Sequence, residues 1–440
     1  MSRARAGQVA RLVAERLRDP DAVAAIVRAD GNVDEYADGA ARCPWSRLSL
    51  AEGYPGVALL FAELGRHDAG YRPVAHAYLR RACERLVAAP GDGLFDGLAA
   101  VAFAARTARH QPGEYERLLA GLDEHIAARA RDLAAAERER TEAGRAGVDL
   151  MTYDLMRGLT GLGAYLLTAG HPALGDVLTA LVAMTEPVKV DGRWLPGWWV
   201  PHSPTSGPTG FTADGHVNLG MAHGIPGPLA LLVLARRAGV EVTGADEAIR
   251  RIAGWLVARC RHDDAGPYWP ATLTLAEELA AGRDARTPGR TAWCYGTPGL
   301  ARALQLAGDT LGVSEWSDLA VAALTARLDD ELNRTAPPSR GSPRDHALCH
   351  GWAGVLHITR RIALDTGHRR LGDRLDPLAD RVLAGHHPTL PFGFRYRAGL
   401  PAAPHRAGFL EGAAGIALAL HAYATGRPPA SGWDRALLLA

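Results

Sequence analysis

Two kinds of apolar pattern alternate along most of the chain. One is a segment with hydrophobic residues at helical spacing and charges on the opposite side, as at 71–89, 246–263 and 317–332. The other is a shorter segment, rich in Ala, Leu and Gly, that is apolar nearly all round. The first pattern is typical of a helix with one solvated face, and the second of a helix buried on every side. The alternation predicts outer and inner helices in succession.

A Gly-x-x-Gly turn begins each of the apolar segments. The copies are GYPGVALL from 53, GLTGLGAYLL from 158, GIPGPLALL from 224, GTPGLARAL from 296, GWAGVLHI from 351, GAAGIALAL from 412 and a worn copy, DGLAAVAFA, from Asp96. Self-similarity of this kind indicates one helical hairpin per repeat. Gly permits close approach of helices, and Pro suits a first helical turn. The Gly-x-x-Gly turn by itself is therefore interpreted as a structural feature of the repeat and not as a functional motif.

Seven outer and seven inner helices in strict alternation predict an all-α fold, namely an α/α toroid closed into a double ring. An open solenoid is the alternative, but it would need polar caps at both ends. The last inner segment, GIALALHAYATG, is as apolar as the middle ones, which favours closure. We therefore expect residues 1–440 to form a single toroid domain.

Three stretches depart from the repeat. Residues 187–219 contain an Asp-Gly turn between strand-like runs and then a loop rich in Pro, Ser, Thr and Gly, which predicts a small, partly β insertion within the domain. Residues 334–347 are expected to form a loop. The charged run at 127–147 is expected to be a long solvated helix and linker.

Composition and charge limit the classes of partner. The 49 Lys and Arg nearly balance the 48 Asp and Glu, for a net charge of +1, so no overall field would attract nucleic acid or an anionic membrane. Five cysteines, an odd number without regular spacing, indicate a reduced, cytoplasmic chain. The N-terminal segment has the pattern of an amphipathic helix, not of a signal peptide. No apolar run reaches the length of a spanning helix, while peripheral attachment to a membrane stays open.

Cysteine and histidine stand directly before two of the turns. If all inner helices run in the same direction, Cys294, before Gly296, and Cys349 and His350, before Gly351, lie at one mouth of the ring. Two thiolates and an imidazole suit Zn²⁺, and three protein ligands leave a fourth position open, as in catalytic sites. The alternatives are cysteines that serve as small buried hydrophobic residues and a closed structural site with a fourth protein ligand.

The same mouth carries candidates for proton transfer. Zinc with two thiolates is formally neutral, which favours activation of an incoming thiol over activation of water. Addition of a thiolate to an electron-poor alkene creates an enolate that must be stabilised and protonated. His223, before Gly224, is the candidate for that proton transfer, and Asp154 is the candidate for orienting it. A structural histidine at a turn is the alternative for His223.

Arg290 and Tyr295 are candidates for holding the developing oxyanion, although Arg290 would serve equally well in a surface ion pair. Glu411 is interpreted as a charge at a helix N-terminus. Four further histidines have no position in the repeat that assigns them a role: His202, His216, His346 and His421.

The series GYPG, YDLMRGLTG, NLGMAHGIPGP, RTAWCYGTPG, CHGWAG and LEGAAGIALAL resembles the LanC-like lanthipeptide cyclases over about residues 50 to 420. The match is specific because AHG, WCYG and CHG fall on three successive turns. The resemblance implies an α/α toroid with a zinc ion in its cavity. It also implies Cys294, Cys349 and His350 as zinc ligands. His223 and Asp154 would handle protons, and Arg290 and Tyr295 would support the active site.

The reaction implied by the resemblance is a Michael-type addition of peptide cysteine thiols to dehydroalanine or dehydrobutyrine, which forms lanthionine or methyllanthionine rings. The implied substrate is a ribosomally made precursor peptide that a separate dehydratase has dehydrated and that is held through its leader segment. No dehydratase-like or kinase-like region precedes the toroid, so a stand-alone cyclase is expected. The dehydratase and a membrane transporter are the expected protein partners.

Two other functions are compatible with a zinc-bearing toroid. One is a peptide-binding scaffold that carries zinc without cyclase activity, although the presence of both His223 and Asp154 weighs against it. The other is a different toroidal thiol alkylase, such as a protein prenyltransferase subunit, to which the WCYG, CHG and AHG motifs do not correspond.

Overall fold

The computed structural model describes residues 2–35, 40–88, 92–190, 192–201, 215–279, 288–335, 341–396 and 403–440. They belong to two compact units. Unit 1 consists of Met1–Leu122 and Thr335–Arg435, and unit 2 consists of Asp123–Arg334 and Ala436–Ala440.

Helices account for most of the regular structure. In chain order they are α1 (Ser2–Arg16), α2 (Pro20–Val27), α3 (Tyr54–Leu64), α4 (Arg72–Cys83), α5 (Leu98–Ala108), α6 (Glu116–Glu142), α7 (Leu150–Tyr153), α8 (Leu159–Ala169), α9 (Leu174–Met184), α10 (Pro226–Arg237), α11 (Ala245–Ala258), α12 (Leu275–Leu279), α13 (Thr297–Leu311), α14 (Ser314–Asn333), α15 (Trp352–Thr366), α16 (Arg369–Leu383) and α17 (Ala413–Thr425).

The strands are short and pair antiparallel. They are β1 (Asp34–Glu35) with β2 (Ala41–Arg42), β3 (Val188–Val190) with β4 (Arg193–Leu195), β5 (His216–Asn218) with β8 (Thr272–Thr274), and β6 (Arg261–Asp263) with β7 (Gly266–Tyr268).

Within the described part of the chain, seven helices begin at the repeated turns, as the sequence predicts: α3, α5, α8, α10, α13, α15 and α17. Every residue of α3 is buried, as is every residue of α10 up to Ala235. The divergent seventh copy, from Asp96, is confirmed as α5, which begins at Leu98. The helices between them, such as α11, bury only one face. The all-α fold class and its alternation of two helix types are confirmed.

Each unit packs its turn helices side by side. In unit 1, α3 packs against α4, α5 and α17, and α15 packs against α16 and α17. In unit 2, α10 packs between α8 and α13, with α14 against α13. The last residues of the chain close over α13, because the buried Arg302 donates to the carbonyl of Leu439 at 2.6 Å and Nε1 of Trp293 donates to that of Leu437 at 3.1 Å.

A backbone carbonyl six residues upstream closes the turn at several repeats. Gly296 has φ +118°, and a Cβ there would lie 1.5 Å from the carbonyl oxygen of Arg290. At Gly224 the corresponding contact is the carbonyl of Asn218, 2.3 Å from the ideal Cβ position. Only glycine fits such a contact without displacing backbone, which explains the repeated glycine at this position.

Two helices end earlier in the structure than the sequence predicts. The helix expected at 246–263 ends at Ala258, and the chain turns back through β6 and β7 because Oδ1 of Asp263 accepts the N–H groups of Ala265 and Gly266, an Asx turn. The helix expected at 71–89 ends at Cys83, and residue 89 lies outside the described residues. Of the charged run at 127–147, residues 127–142 form the last part of α6, and residues 143–147 follow the helix.

The predicted insertion at 187–219 contains β3, β4 and β5, with Gly192 at φ +80° in the turn between the first two strands. Its residues 191 and 202–214 lie outside the described part of the chain. The described residues of 334–347 are not helical, and residues 336–340 lie outside the description. Among the described residues, no helix is long and apolar enough to cross a bilayer.

Candidate active site

Asp154 occupies the turn between α7 and α8 in unit 2, with its side chain only 1% exposed. Its Oδ1 accepts the backbone N–H groups of Arg157 and Gly158, each at 2.8 Å. Its Oδ2 lies 2.7 Å from Nδ1 of His223. The α8 turn therefore fixes the carboxylate, and the carboxylate in turn fixes the histidine.

His223 lies in the turn before α10, and its side chain is 35% exposed. The two turns are joined by a backbone hydrogen bond from Leu155 to the carbonyl of Ala222, at 3.1 Å. Because the carboxylate of Asp154 accepts from Nδ1, the Nε2 atom of His223 is the one that can exchange a proton with a bound molecule. This arrangement suits a general acid or base.

Tyr295 lies beside His223, with ring centroids 6.0 Å apart and an interplanar angle of 30°. The amide of Asn218 donates to Oη of Tyr295 at 3.2 Å, which orients the phenol. Cys294 is buried, and its carbonyl accepts the N–H of Ala222 at 3.3 Å. The turns that carry Asp154, His223 and Tyr295 are thus connected within unit 2.

Arg290 is exposed at the start of its segment. The backbone carbonyl of Arg290 packs closely against Gly296. The geometry therefore brings Asp154, His223 and Tyr295 together in unit 2 but gives no contact that assigns the guanidinium to them.

Cys349 and His350 are held in unit 1. The N–H of Cys349 donates to the carbonyl of Leu410 at 2.8 Å, which ties the turn before α15 to the turn before α17. Nε2 of His350 lies 2.9 Å from Oη of Tyr396 and 3.3 Å from Oδ2 of Asp345. Metal-binding histidines are typically oriented by such partners on one ring nitrogen while the other coordinates the ion. The donor types therefore fit zinc.

A cluster of charged groups adjoins His350 in unit 1. Arg406 is 6% exposed and forms ion pairs with Asp34, with Glu52 at 3.2 Å and with Glu411 at 2.7 Å. Its guanidinium lies 4.4 Å from the ring centroid of Tyr396. Asp345, Tyr396, Arg406 and Glu411 all line one pocket. The sequence predicts Glu411 only as a charge at a helix N-terminus, and its ion pair with Arg406 was not predicted.

Burial, reinforced by neighbouring charges, sets the protonation state of Tyr396. Burial raises the pKa of Tyr396 well above its usual value, and the carboxylates of Glu411 and Asp345 raise it further, against a smaller opposing effect of Arg406. Burial also raises the pKa of Glu52, against the opposing charge of Arg406. Tyr396 therefore remains a phenol throughout the neutral range and keeps its place beside His350.

Asn218, Asp345, Tyr396 and Arg406 are candidate site residues that the sequence reasoning missed. Three of them could have been found from the repeat, because the residue six positions before the first glycine is polar in six of the turns: Arg47, Thr152, Asn218, Arg290, Asp345 and Arg406. Tyr396 has no such position, since it lies in an irregular segment between α16 and α17.

Comparisons with known proteins were made over the whole chain. Residues 44–438 match the family described as lanthionine synthetase C-like protein. The nisin biosynthesis protein NisC of Lactococcus lactis subsp. lactis is 22% identical over 323 residues, which cover 71% of this chain and 73% of that protein. The solved structure of a nisin cyclase superposes with a TM-score of 0.74 at 20% identity, covering 98% of this chain and 96% of that one. The fold is therefore shared with that protein, which confirms the predicted fold class.

Proposed function

This chain belongs to the lanthionine synthetase C-like family, and on that premise we propose that it is a lanthionine-forming cyclase that acts on a dehydrated peptide. The observation that carries the proposal is the contact between Asp154 and His223, a buried carboxylate on a half-exposed imidazole. A scaffold that only bound peptide would not need such a pair. The name of the relative, a nisin cyclase, supports the same reaction.

The reaction is an addition that leaves no by-product. A peptide cysteine thiol loses its proton, and the thiolate sulfur forms a bond to Cβ of dehydroalanine or dehydrobutyrine. The electrons of the carbon–carbon double bond move toward the carbonyl oxygen, and the resulting enolate is protonated at Cα. One proton is removed from the thiol and one is added at Cα, so a single group that exchanges protons near neutral pH can serve both steps of the reaction.

His223 is that group in our proposal. Asp154 holds the proton of Nδ1, so Nε2 exchanges the proton with the substrate, and the negative carboxylate stabilises the imidazolium that forms in between. Tyr295 lies beside the ring, and its hydroxyl oxygen accepts from the amide of Asn218. We assign it, together with Arg290, to stabilising the enolate oxygen.

Cys294, Cys349 and His350 are proposed as the ligands of one zinc ion. The assignment is supported by their positions before successive turns, by the family and by the suitability of the donor types. When bound, zinc with two thiolates lowers the pKa of an incoming thiol while preserving its nucleophilicity. Tyr396 and Asp345 then act as positioning residues for His350.

The partners follow from the same proposal. The substrate is a precursor peptide with a leader segment, and its alkenes are supplied by a dehydration reaction at serine and threonine. We propose that a separate dehydratase and a membrane transporter are the protein partners. A cytoplasmic location completes the proposal, and peripheral attachment to a membrane stays open.

The test is cyclisation of a synthetic peptide that contains one dehydroalanine and one cysteine behind a leader segment. Ring closure leaves the mass unchanged but consumes the thiol, so trapping with an alkylating reagent followed by mass spectrometry counts the remaining thiols. We expect loss of the alkylated species with the wild-type protein loaded with zinc. Peptide binding without thiol loss would instead identify a non-catalytic scaffold, and transfer of an isoprenoid to the thiol would identify another thiol alkylase.

A further inference from the structure

A second group of metal-ligating side chains lies in unit 1, at the far ends of two turn helices. Glu63 is in the last turn of α3, His67 follows that helix, and His421 is in the second half of α17. One ligand atom from each residue lies within 4.8 Å of the other two. With a rise of 1.5 Å per residue, the group is about 15 Å along the helices from the turns that begin them, so it is separate from the residues around His350.

Glu63 is a buried carboxylate that is only partly satisfied by the protein. It is 2% exposed. Its Oε1 accepts the N–H of Ala430 at 3.0 Å, and its Oε2 accepts the N–H of Ser431 at 2.8 Å. Each carboxylate oxygen has two lone pairs, so one remains on each after these bonds. A buried charge is costly unless it is paired or coordinates a metal.

His421 presents a nitrogen that the described residues do not satisfy. Its Nε2 is buried and has no hydrogen-bond partner among them. Buried polar atoms are almost always hydrogen-bonded, so each exception needs an explanation. Burial lowers the pKa of His421, with Arg11 and Arg360 adding to the effect and Glu63 opposing it, so the imidazole is held in the neutral form that metals bind.

His67 supplies the third ligand and the route of entry. Its side chain is 47% exposed, and its Nε2 lies 3.8 Å from Oε1 of Glu63. Its ring centroid is 5.1 Å from that of His421, with an interplanar angle of 57°. A hydrated ion can therefore reach Glu63 and His421 from solvent, and the exposed ring of His67 can rotate to complete the coordination.

We propose that Glu63, His67 and His421 form a second divalent metal site, which takes Zn²⁺ through two imidazoles and one carboxylate. Bonds of about 2.0–2.2 Å place tetrahedral ligands roughly 3.3 Å apart, so the ligand atoms move together by a small amount on binding. The site contains no thiolate, and Arg11 and Arg360 lie within electrostatic range. Both features make it weaker than a site with two cysteines. The ion ties the ends of α3 and α17 to the Ala430–Ser431 segment through Glu63.

The test measures zinc binding in a protein from which the cysteine ligands have been removed. Equilibrium dialysis at micromolar zinc is carried out on the double variant Cys294→Ala/Cys349→Ala, and on the same variant with His67→Ala. His67→Ala changes an exposed side chain, so loss of the fold is not expected. The matched control is His262→Ala, which removes an exposed histidine of unit 2.

We expect one zinc per chain in the double variant, at least tenfold weaker binding after His67→Ala and no change after His262→Ala. No zinc bound by the double variant, or the same affinity after His67→Ala, would overturn the proposal. If the double variant does not fold, cobalt titration of the wild-type chain replaces it. His67→Ala should then remove one cobalt equivalent without reducing the thiolate charge-transfer absorption, and an unchanged stoichiometry would count against the site. Neither readout depends on cyclase activity.

Discussion

Nδ1 of His223 lies 2.7 Å from Oδ2 of Asp154, although the two residues belong to turns that begin different helices. A backbone hydrogen bond from Leu155 to the carbonyl of Ala222 joins those turns and helps to hold the pair together. A histidine held by a buried carboxylate has one nitrogen fixed and one available, which is what proton transfer to a substrate requires.

Replacing His223 with Asn should lower the rate of ring formation by about 10² to 10⁴-fold, the usual contribution of a general acid or base. The amide occupies the site but does not titrate near neutral pH. Zinc content should be unchanged, which separates this effect from loss of the metal. The measurement is the rate of thiol loss under saturating peptide, and an unchanged rate would remove His223 from the mechanism.

Asp154→Asn tests the positioning role of the carboxylate. The amide oxygen can still accept from the N–H groups of Arg157 and Gly158, so we expect the turn to remain folded. The NH₂ group would face Nδ1 of His223 and force the proton onto Nε2, the wrong tautomer for accepting a proton. The rate should fall and the pH dependence of kcat/KM should shift. A pH profile that superposes on that of the wild type would contradict the assignment.

Cys349→Ala should remove the tightly bound zinc while leaving the protein folded, since the core lies in the turn helices. The matched control is Cys260→Ala, a half-buried cysteine in unit 2 whose thiol pKa is raised to about 11 by burial, which disfavours a thiolate ligand. Metal analysis after dialysis and circular dichroism together decide the result. Global unfolding of Cys349→Ala would indicate a structural metal instead.

Tyr396→Phe should weaken zinc binding by about 10 to 100-fold, the usual effect of losing a partner of a metal-bound histidine. The ring that contacts Arg406 is kept, so the ion-pair cluster should survive. Competition with a chromophoric chelator measures the affinity. Tyr71→Phe is the control, since its hydroxyl donates to Glu15 near the surface, and equal affinities for the two variants would argue against the role of Tyr396.

Stability should fall on acidification because of His357, which is fully buried with Nε2 2.9 Å from Oδ2 of Asp434. Burial lowers the pKa of His357, against the opposing hydrogen bond to Asp434. The unfolded chain, with a histidine pKa near 6.5, then binds more protons than the folded one below about that pH.

The free energy of unfolding of the wild type should therefore decrease as the pH falls through that window. The decrease should be smaller for His357→Gln, whose amide can still donate to Asp434 but does not titrate. Urea unfolding between about pH 7.5 and 5.5 measures both slopes, and parallel slopes would exclude His357 as the cause.

The repeat was predictable because its signal is periodic. Burial on every side makes the α3 and α17 segments apolar throughout, and the close carbonyl contact at Gly296 requires glycine. Both the apolar segments and the glycines can therefore be recognised in a single sequence. The end of α11 was predicted wrongly, because the apolar spacing says nothing about the Asx turn at Asp263 that reverses the chain.

The candidate site was predictable only in part, because most of the predicted residues lie within four positions of a turn glycine, and Arg290 is the one predicted residue that lies six positions upstream. Asp345 and Asn218 occupy that upstream position and contact His350 and Tyr295. Tyr396 could not have been found, since it reaches His350 from an irregular segment. The group around His421 was missed because residues at the far ends of α3 and α17 come together only through helix packing.

The carbonyl that closes the turn at Gly296 has a consequence for how such a protein changes over time. The three nearest contacts there are all with the backbone of Arg290, so this contact does not require a particular side chain at position 290. Substitutions at this position can alter the chemistry at the start of a helix while the helix begins at the same residue. The architecture thus separates the glycine, which folding requires, from a side chain that can change without moving the start of the helix.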